Sequence, residues 1–209
     1  MRIVTTTNLS VDGVMQGLGG PDEDRRGGFD RGGWAPPLVD DQTAEYLNQT
    51  YGSARAFLFG RRTYEIFANS WGAGMDPTSP ISIGLNSRPK YVASTKLRDP
   101  KWSPTTVLTG DLAAAVRDLK AQDGGALVVP GSGVLIRSLL ASDLVDQIDL
   151  VIYPIVLGEG ARLFPDSGPD MALDLVSSRR TSGGVTIQTY RPHGRPEYVK
   201  QRGKQLFQE

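Results

Sequence analysis

Cysteine is absent from this 209-residue chain, which removes disulfides, thiolate metal ligands and a cysteine nucleophile together. Histidine occurs once, at His193, so a multi-histidine metal cluster or a buried Ser/His/Asp triad has little support, and no metal is expected. Net charge is missing too: 23 basic residues balance 23 acidic ones. No overall field draws the protein to nucleic acid or anionic lipid, and neither is expected as a partner. No apolar run of roughly 18 residues offers a membrane span. The start, Met1 to Asn8, enters a strand-like pattern without a signal-peptide apolar core, and a cytoplasmic location is expected.

What is present suits one soluble α/β domain: 39% hydrophobic residues for a substantial core and 22% charged residues for its surface. Apolar, β-branched runs bounded by turn residues read as strands over 2–10, 54–59, 90–94, 105–108, 126–129 and 147–154. Runs with a 3.6-residue period read as helices over 40–51, 61–67, 112–122 and 134–141, the first capped by Asp40 or Asp41. Residues 173–180 and 184–190 read as a closing antiparallel pair. Such alternation predicts a mostly parallel central sheet with helices on both faces and a C-terminal antiparallel hairpin. The glycine-rich segment from 17 to 37, with Pro21, Pro36 and Pro37, is a loop long enough to suggest a functional role.

Ligands of such sheets sit beyond the carboxyl ends of the strands, where three turns stand out. Gly131-Ser132-Gly133-Val134 lets backbone approach a ligand and opens a helix whose free N–H groups suit a diphosphate; a plain strand-to-helix turn is the alternative. Gly60-Arg61-Arg62-Thr63 adds two arginines at a helix start, unfavourable against the macrodipole unless an anion lies near, though both could face solvent. Ser94-Thr95-Lys96 offers hydroxyls and an ammonium to a monoester phosphate such as that of NADPH, or forms an ordinary turn. Asp12, Asp40, Asp41 and Glu45 are the carboxylates that could face a substrate, where an apolar cleft would raise the pKa of a proton donor. Asp40 reads more simply as a helix cap, and Asp12 also suits a turn. Trp34 could wall a pocket for a planar ligand or pack locally. His193 reads as an exposed linker residue, and 195–209 as a polar tail.

Several motifs resemble the dihydrofolate-reductase fold, in the branch similar to the reductase (C-terminal) domain of bacterial riboflavin biosynthesis. They are Ser10-Val11-Asp12-Gly13, Phe59-Gly60-Arg61-Arg62-Thr63-Tyr64-Glu65, the stretch from Val128 to Phe164 with Gly-Ser-Gly and Pro-Ile-Val-Leu-Gly-Glu-Gly-Ala-Arg-Leu-Phe, and Val185 to Tyr190. The resemblance spans roughly 1–192, leaving 193–209 as an extension. It implies NADPH held by Gly60, Arg61, Arg62 and Thr63 at phosphates, Ser94 and Thr95 at the adenosine side, and Gly131, Ser132, Gly133 and Val134 at the diphosphate. It also implies a substrate side of Trp34, Leu157, Gly158 and Glu159, with Asp12 and Asp40 as catalytic carboxylates, and a homodimer. The implied activity is hydride transfer to a small pterin-, pyrimidine- or sugar-derived substrate. A low-activity dihydrofolate reductase and a non-catalytic dinucleotide-binding module of the same fold are the alternatives.

Overall fold

Among residues 1–199, which the computed structural model describes, one eight-stranded sheet carries five α-helices. In chain order they are β1 (Arg2–Ser10), α1 (Asp41–Gly52), β2 (Ala56–Gly60), α2 (Arg61–Ser70), α3 (Pro80–Ser87), β3 (Lys90–Ala93), β4 (Thr105–Leu108), α4 (Leu112–Ala121), β5 (Ala126–Pro130), α5 (Gly133–Ala141), β6 (Gln147–Tyr153), β7 (Leu173–Arg180) and β8 (Thr186–Pro192). The strand order is β4-β3-β2-β5-β1-β6-β8-β7. The first six run parallel, while β8 pairs antiparallel with both β6 and β7. The α/β class, the mostly parallel sheet and the closing hairpin are therefore as the sequence pattern predicts.

The period-two alternation of buried strand residues sorts the core into two layers. Ile3, Leu58, Leu127, Val129 and Ile148 face α4 and α5 through Val116, Leu119, Ile136 and Leu139. Phe57 and Phe59 beside Leu58, Val128 beside Leu127, and Val92 of β3 turn to the other side, where Tyr51 of α1, Tyr64 of α2 and Leu85 of α3 cover them. Both faces are thus closed by helices, which parallel strands require because each needs a crossover.

Helix α3 has no counterpart in the sequence reading. Its eight residues include Pro80 and Gly84 and give too short a periodic signal, yet Ser79 caps it by accepting the Ser82 N–H. Gly84 lets it lie against α1: a Cβ there would stand 2.5 Å from the Tyr51 carbonyl oxygen. The last strand begins at Thr186 because residues 181–185 are used in the preceding turn, closed by Thr181 N–H to the Val185 carbonyl at 2.8 Å. Of the expected tail, Tyr198 donates to Asp170 at 2.9 Å and His193 lies 3.1 Å from Asp174; residues 200–209 lie outside the described residues. No helix among the described residues is long and apolar enough to cross a membrane.

Candidate active site

β1 and β5 stay paired only as far as Thr6 and Pro130, whereas β1 continues beside β6 to Ser10. Gly131 N–H closes this pairing with a bond to the Thr6 carbonyl at 2.9 Å, and at Gly131 itself the backbone turns into the left-handed region at φ 54°. The gap opens into a cleft of about 490 Å³ at the carboxyl ends of the parallel strands. That is within the usual size range of a small-molecule site. A broader depression bounded by Asp41, Glu45, Asn48 and Pro80 lies against α1 and the start of α3, away from these strand ends.

The turns Gly60–Thr63 and Gly131–Val134 both line the cleft. Ser132 joins them, because its hydroxyl accepts the Gly60 N–H at 3.0 Å and donates to the Thr63 hydroxyl at 2.7 Å. Residue 60 must be small for this: a Cβ there would meet Ser132 Oγ at 3.3 Å. Ser132 itself sits in the left-handed region at φ 63°, a conformation that costs a non-glycine residue about 1 kcal/mol or more and is tolerated where the surroundings hold it.

Helix capping divides along functional lines. Asp40, Ser79 and Asp111 cap α1, α3 and α4 with their side chains, whereas α2 and α5 have no side-chain cap and no acidic residue in the first turn. Both uncapped helices begin at the cleft, and of the capped ones α4 reaches it through its first residue, Leu112. The first N–H groups and positive dipole ends of the uncapped pair are left to an acceptor from outside the chain, and a phosphate is the common choice. Of the nearby guanidinium groups, Arg61 is held by Glu65 at 2.7 Å, and Arg137 donates to the Leu163 carbonyl at 2.8 Å. Arg62 is exposed at the rim.

The other expected residues are placed as follows. Ser94 and Thr95 follow Ala93, which lines the cleft, but Ser94 Oγ accepts the N–H groups of Lys96 and Leu97 in its own turn and Thr95 is exposed. Asp12 is spent on structure. Its carboxylate accepts from Ser10 Oγ, Leu157 N–H and Gly158 N–H at 2.7 to 3.0 Å and stands 3.4 Å from Arg162. Burial alone would raise its pKa, but these hydrogen bonds outweigh it and hold the carboxyl well below the ordinary range. Asp40 caps α1 through Thr43 and accepts from Ser182 and Gly183 in the β7–β8 turn. The Thr43 hydroxyl leads in pushing its pKa down as well. The raised pKa expected of a catalytic carboxylate is found at neither, and neither lines the cleft.

Trp34 is buried, donating to the Gln16 carbonyl at 2.8 Å and meeting Tyr153 edge-on at 5.6 Å. Leu157 is buried, and Gly158 and Glu159 lie on a loop held by Arg31, which reaches the Leu157 carbonyl and Glu159. These four stand outside the cleft wall, where Ala161 and Arg162 are the nearest members of their segment.

The structure supplies a lining that the motifs did not reveal. Thr7 and Asn8 form part of the β1 side, and Tyr51, Ile66 and Phe67 part of an apolar wall in which the Tyr51 and Phe67 rings lie nearly parallel, 6.4 Å apart. The glycine-rich loop folds over the remaining side with Leu18, Glu23, Asp24 and Arg26. Gln16 anchors that loop: its amide donates to the carbonyls of Asp24 and Arg26 at 3.1 and 2.9 Å, while its oxygen accepts the Ala161 N–H at 2.9 Å. The sequence pattern placed Tyr51 and Phe67 within the helices read over 40–51 and 61–67, but gave no sign that they face a ligand space.

A dinucleotide fits the turns on two counts: the paired uncapped helix ends, and glycines where side chains would intrude. A Cβ at Gly133 would meet Met15 Sδ and Arg137 Nη1 at 3.0 Å. Among the described residues no cluster of three or more potential metal ligands occurs.

Comparison with known proteins agrees with this architecture. The chain is 26% identical over 195 residues to the uncharacterized protein YyaP of Bacillus subtilis (strain 168), covering 92% of this chain and 96% of that one. In fold it is similar to a crystal structure named for riboflavin biosynthesis from Shewanella sp. PV-4, with TM-score 0.65 and 22% identity over 92% of this chain and 99% of the other. It is also similar to a pyrimidine reductase-like protein from Corynebacterium diphtheriae, with TM-score 0.60 and 17% identity over 92% of each chain. The model of the RibD C-terminal domain matches residues 2–187, and the chain belongs to that family.

Proposed function

We propose that the protein is a reductase that binds NADPH across the turns Gly60–Thr63 and Gly131–Val134 and reduces a small planar heterocycle, or a sugar-derived imine or carbonyl, in the same cleft. The carrying observation is that both helices lacking a side-chain cap open on this cleft, joined by Ser132. Membership of the RibD C-terminal domain family, and fold likeness to a pyrimidine reductase-like protein, support the reductase class.

In this reading Gly133 and Val134 receive the diphosphate on their N–H groups, and Arg62 with Thr63 receives a further phosphate. Ser94 and Thr95 lie at the outer, adenosine end. NADPH supplies the hydride; the chain supplies orientation and exclusion of water. Tyr51, Ile66 and Phe67 give a flat apolar wall for the second ligand. Asp12 and Asp40 act by holding the Leu157–Gly158 loop and the β7–β8 turn, outside the chemistry. The homodimer implied by the resemblance is part of the proposal, and the edge strand β7, with Leu175 and Val176 exposed, is the surface it offers.

Thermal unfolding tests the cofactor. NADPH raises Tm more than NADH, as expected when a ligand favours the native state, and Arg62→Ala lowers the NADPH shift. Equal shifts by both coenzymes would remove the assignment of a phosphate-reading site. NADPH oxidation measured against pterins, pyrimidinediones and ketoses separates a reductase from a binding module, which would bind without turnover.

A further inference from the structure

The cleft contains one carboxyl group placed differently from all the others. Glu23 lies on the glycine-rich loop and lines the cleft, half-buried. Its Oε2 accepts the Gly19 N–H at 2.9 Å, and among the described residues no side chain donates to the carboxyl. No Lys, Arg or His nitrogen among them lies within ion-pair distance, and most cations around the cleft are engaged elsewhere. On the same loop Arg26 is taken by Asp24; on α2 Arg61 is taken by Glu65, while Arg62 is exposed at the rim and attracts Asp24 without pairing with it; Arg162 is taken by Asp12; and Arg137 of α5 is taken by main-chain carbonyls. Burial therefore dominates the Glu23 carboxyl and raises its pKa over the lowering effect of the Gly19 and Leu18 N–H groups, with neighbouring Asp24 adding to the rise.

The other titratable groups at the site do not compete for this role. Asp24 is only 8% exposed, hydrogen-bonded to Arg26 and held ionised. Burial pushes the Tyr51 hydroxyl far up, which keeps it protonated and makes it a weaker acid than the Glu23 carboxyl. Asp12 and Asp40 are turned to structural bonds. A reduction of C=N or C=O by hydride needs a proton at the heteroatom, and a carboxyl that lines the cleft, unpaired among the described residues and with its pKa raised by burial, is suited to give it.

We propose that Glu23 is the carboxyl that meets the reducible ligand, hydrogen-bonding a ring nitrogen of an uncharged or cationic nitrogen heterocycle stacked against the Tyr51–Phe67 wall and supplying its proton. This rests on the reductase reading above. The step balances as follows: hydride from the reduced nicotinamide reaches the ring carbon, the C=N π pair moves to nitrogen, and that nitrogen takes the Glu23 proton. The dinucleotide leaves oxidised, and the resulting carboxylate is reprotonated from solvent. A phosphate or carboxylate on the ligand is disfavoured at this place, since it would face both Glu23 and Asp24.

The test uses the full chain labelled with ¹³C at glutamate carboxyls, with the Glu23 resonance assigned by its loss in Glu23→Gln. The probe is 2,4-diaminopyrimidine, a planar base whose ring cation offers adjacent N–H donors to a carboxylate. We expect Glu23 to titrate above the other glutamates and its resonance to shift on adding the probe, with or without NADP⁺. Loss of this charge-assisted contact in Glu23→Gln should weaken the probe by about 10- to 100-fold, with Glu23→Asp between the two. A Glu23 that titrates with the other glutamates, or a Glu23→Gln protein that binds the probe as well as wild type, overturns the inference. A protein that responds at Glu23 yet fails to bind NADP⁺ overturns the cofactor reading alone.

Discussion

The Ser132 hydroxyl donates to the Thr63 hydroxyl at 2.7 Å across 69 residues of sequence, binding the start of α5 to the start of α2. The same oxygen accepts the Gly60 N–H, so one side chain sets the spacing of two helix ends that face one cleft.

Removing that hydroxyl leaves the Gly60 N–H without its acceptor and the two turns without their link. Ser132→Ala is expected to destabilise the fold by about 1 kcal/mol, the usual net value of one hydrogen bond. It should also lower NADP⁺ affinity, because the turns lose their mutual position. Urea unfolding and calorimetric titration read the two effects separately, and unchanged affinity would show that the link serves the fold only.

Gly133 separates stability from binding in the opposite sense. The atoms that a Cβ would meet, Met15 Sδ and Arg137 Nη1, are ends of flexible side chains that can move. Gly133→Ala should therefore change stability by within about 0.5 kcal/mol, as surface changes usually do, yet narrow the cleft where the diphosphate is proposed to lie. A fall in NADP⁺ affinity without a matching shift in urea midpoint is the expected result.

Asp12 contributes through its ionised form. Its folded pKa lies below the unfolded value of 3.8, so its stabilisation is present above that value and lost as pH falls beneath it. Asp12→Asn should cost about 1.5–3 kcal/mol near neutral pH, the range for hydrogen bonds to a charged group, and should flatten the acid limb of the stability curve. If Asp12→Asn instead leaves stability intact and abolishes turnover, Asp12 belongs to the chemistry after all.

Lys90 governs the alkaline side. It is 1% exposed, donates to the Leu85 and Arg88 carbonyls at 2.8 and 3.2 Å, and stands 4.7 Å from the Trp102 ring centre. Burial pushes its pKa down to about 8 from 10.5, so above pH 8 the unfolded chain binds the additional proton and stability rises with pH. Tyr153, pushed up to about 12 from 10.0 by burial, reverses the trend once unfolded tyrosines ionise. Urea midpoints should rise between pH 8 and 10, and Lys90→Met should remove the rise.

The strands and the two cleft turns were legible because their signals are local. Alternation in Ile3–Leu9 or Phe57–Phe59 and small residues at Gly60 and Gly131–Gly133 are visible within a few positions. The carboxylates were not legible in this way. Asp12 beside Gly13 has the look of a site residue, but its partners Leu157 and Gly158 come from the far end of the chain. Glu23 sits in a mixed charge cluster that reads as solvent-facing loop, and it reaches the cleft because Gln16 and Ala161 hold the loop across it.

The amino-acid sequence by itself determined the α/β class, the order of nearly all strands and helices, and the two turns with open helix ends, since periodicity and turn chemistry act between neighbours along the chain. Tertiary structure alone decided which acidic groups are consumed by hydrogen bonds and which one is left facing the cleft. A carboxyl group's ionisation depends on burial and on donors brought to it from distant segments, and no local pattern records either.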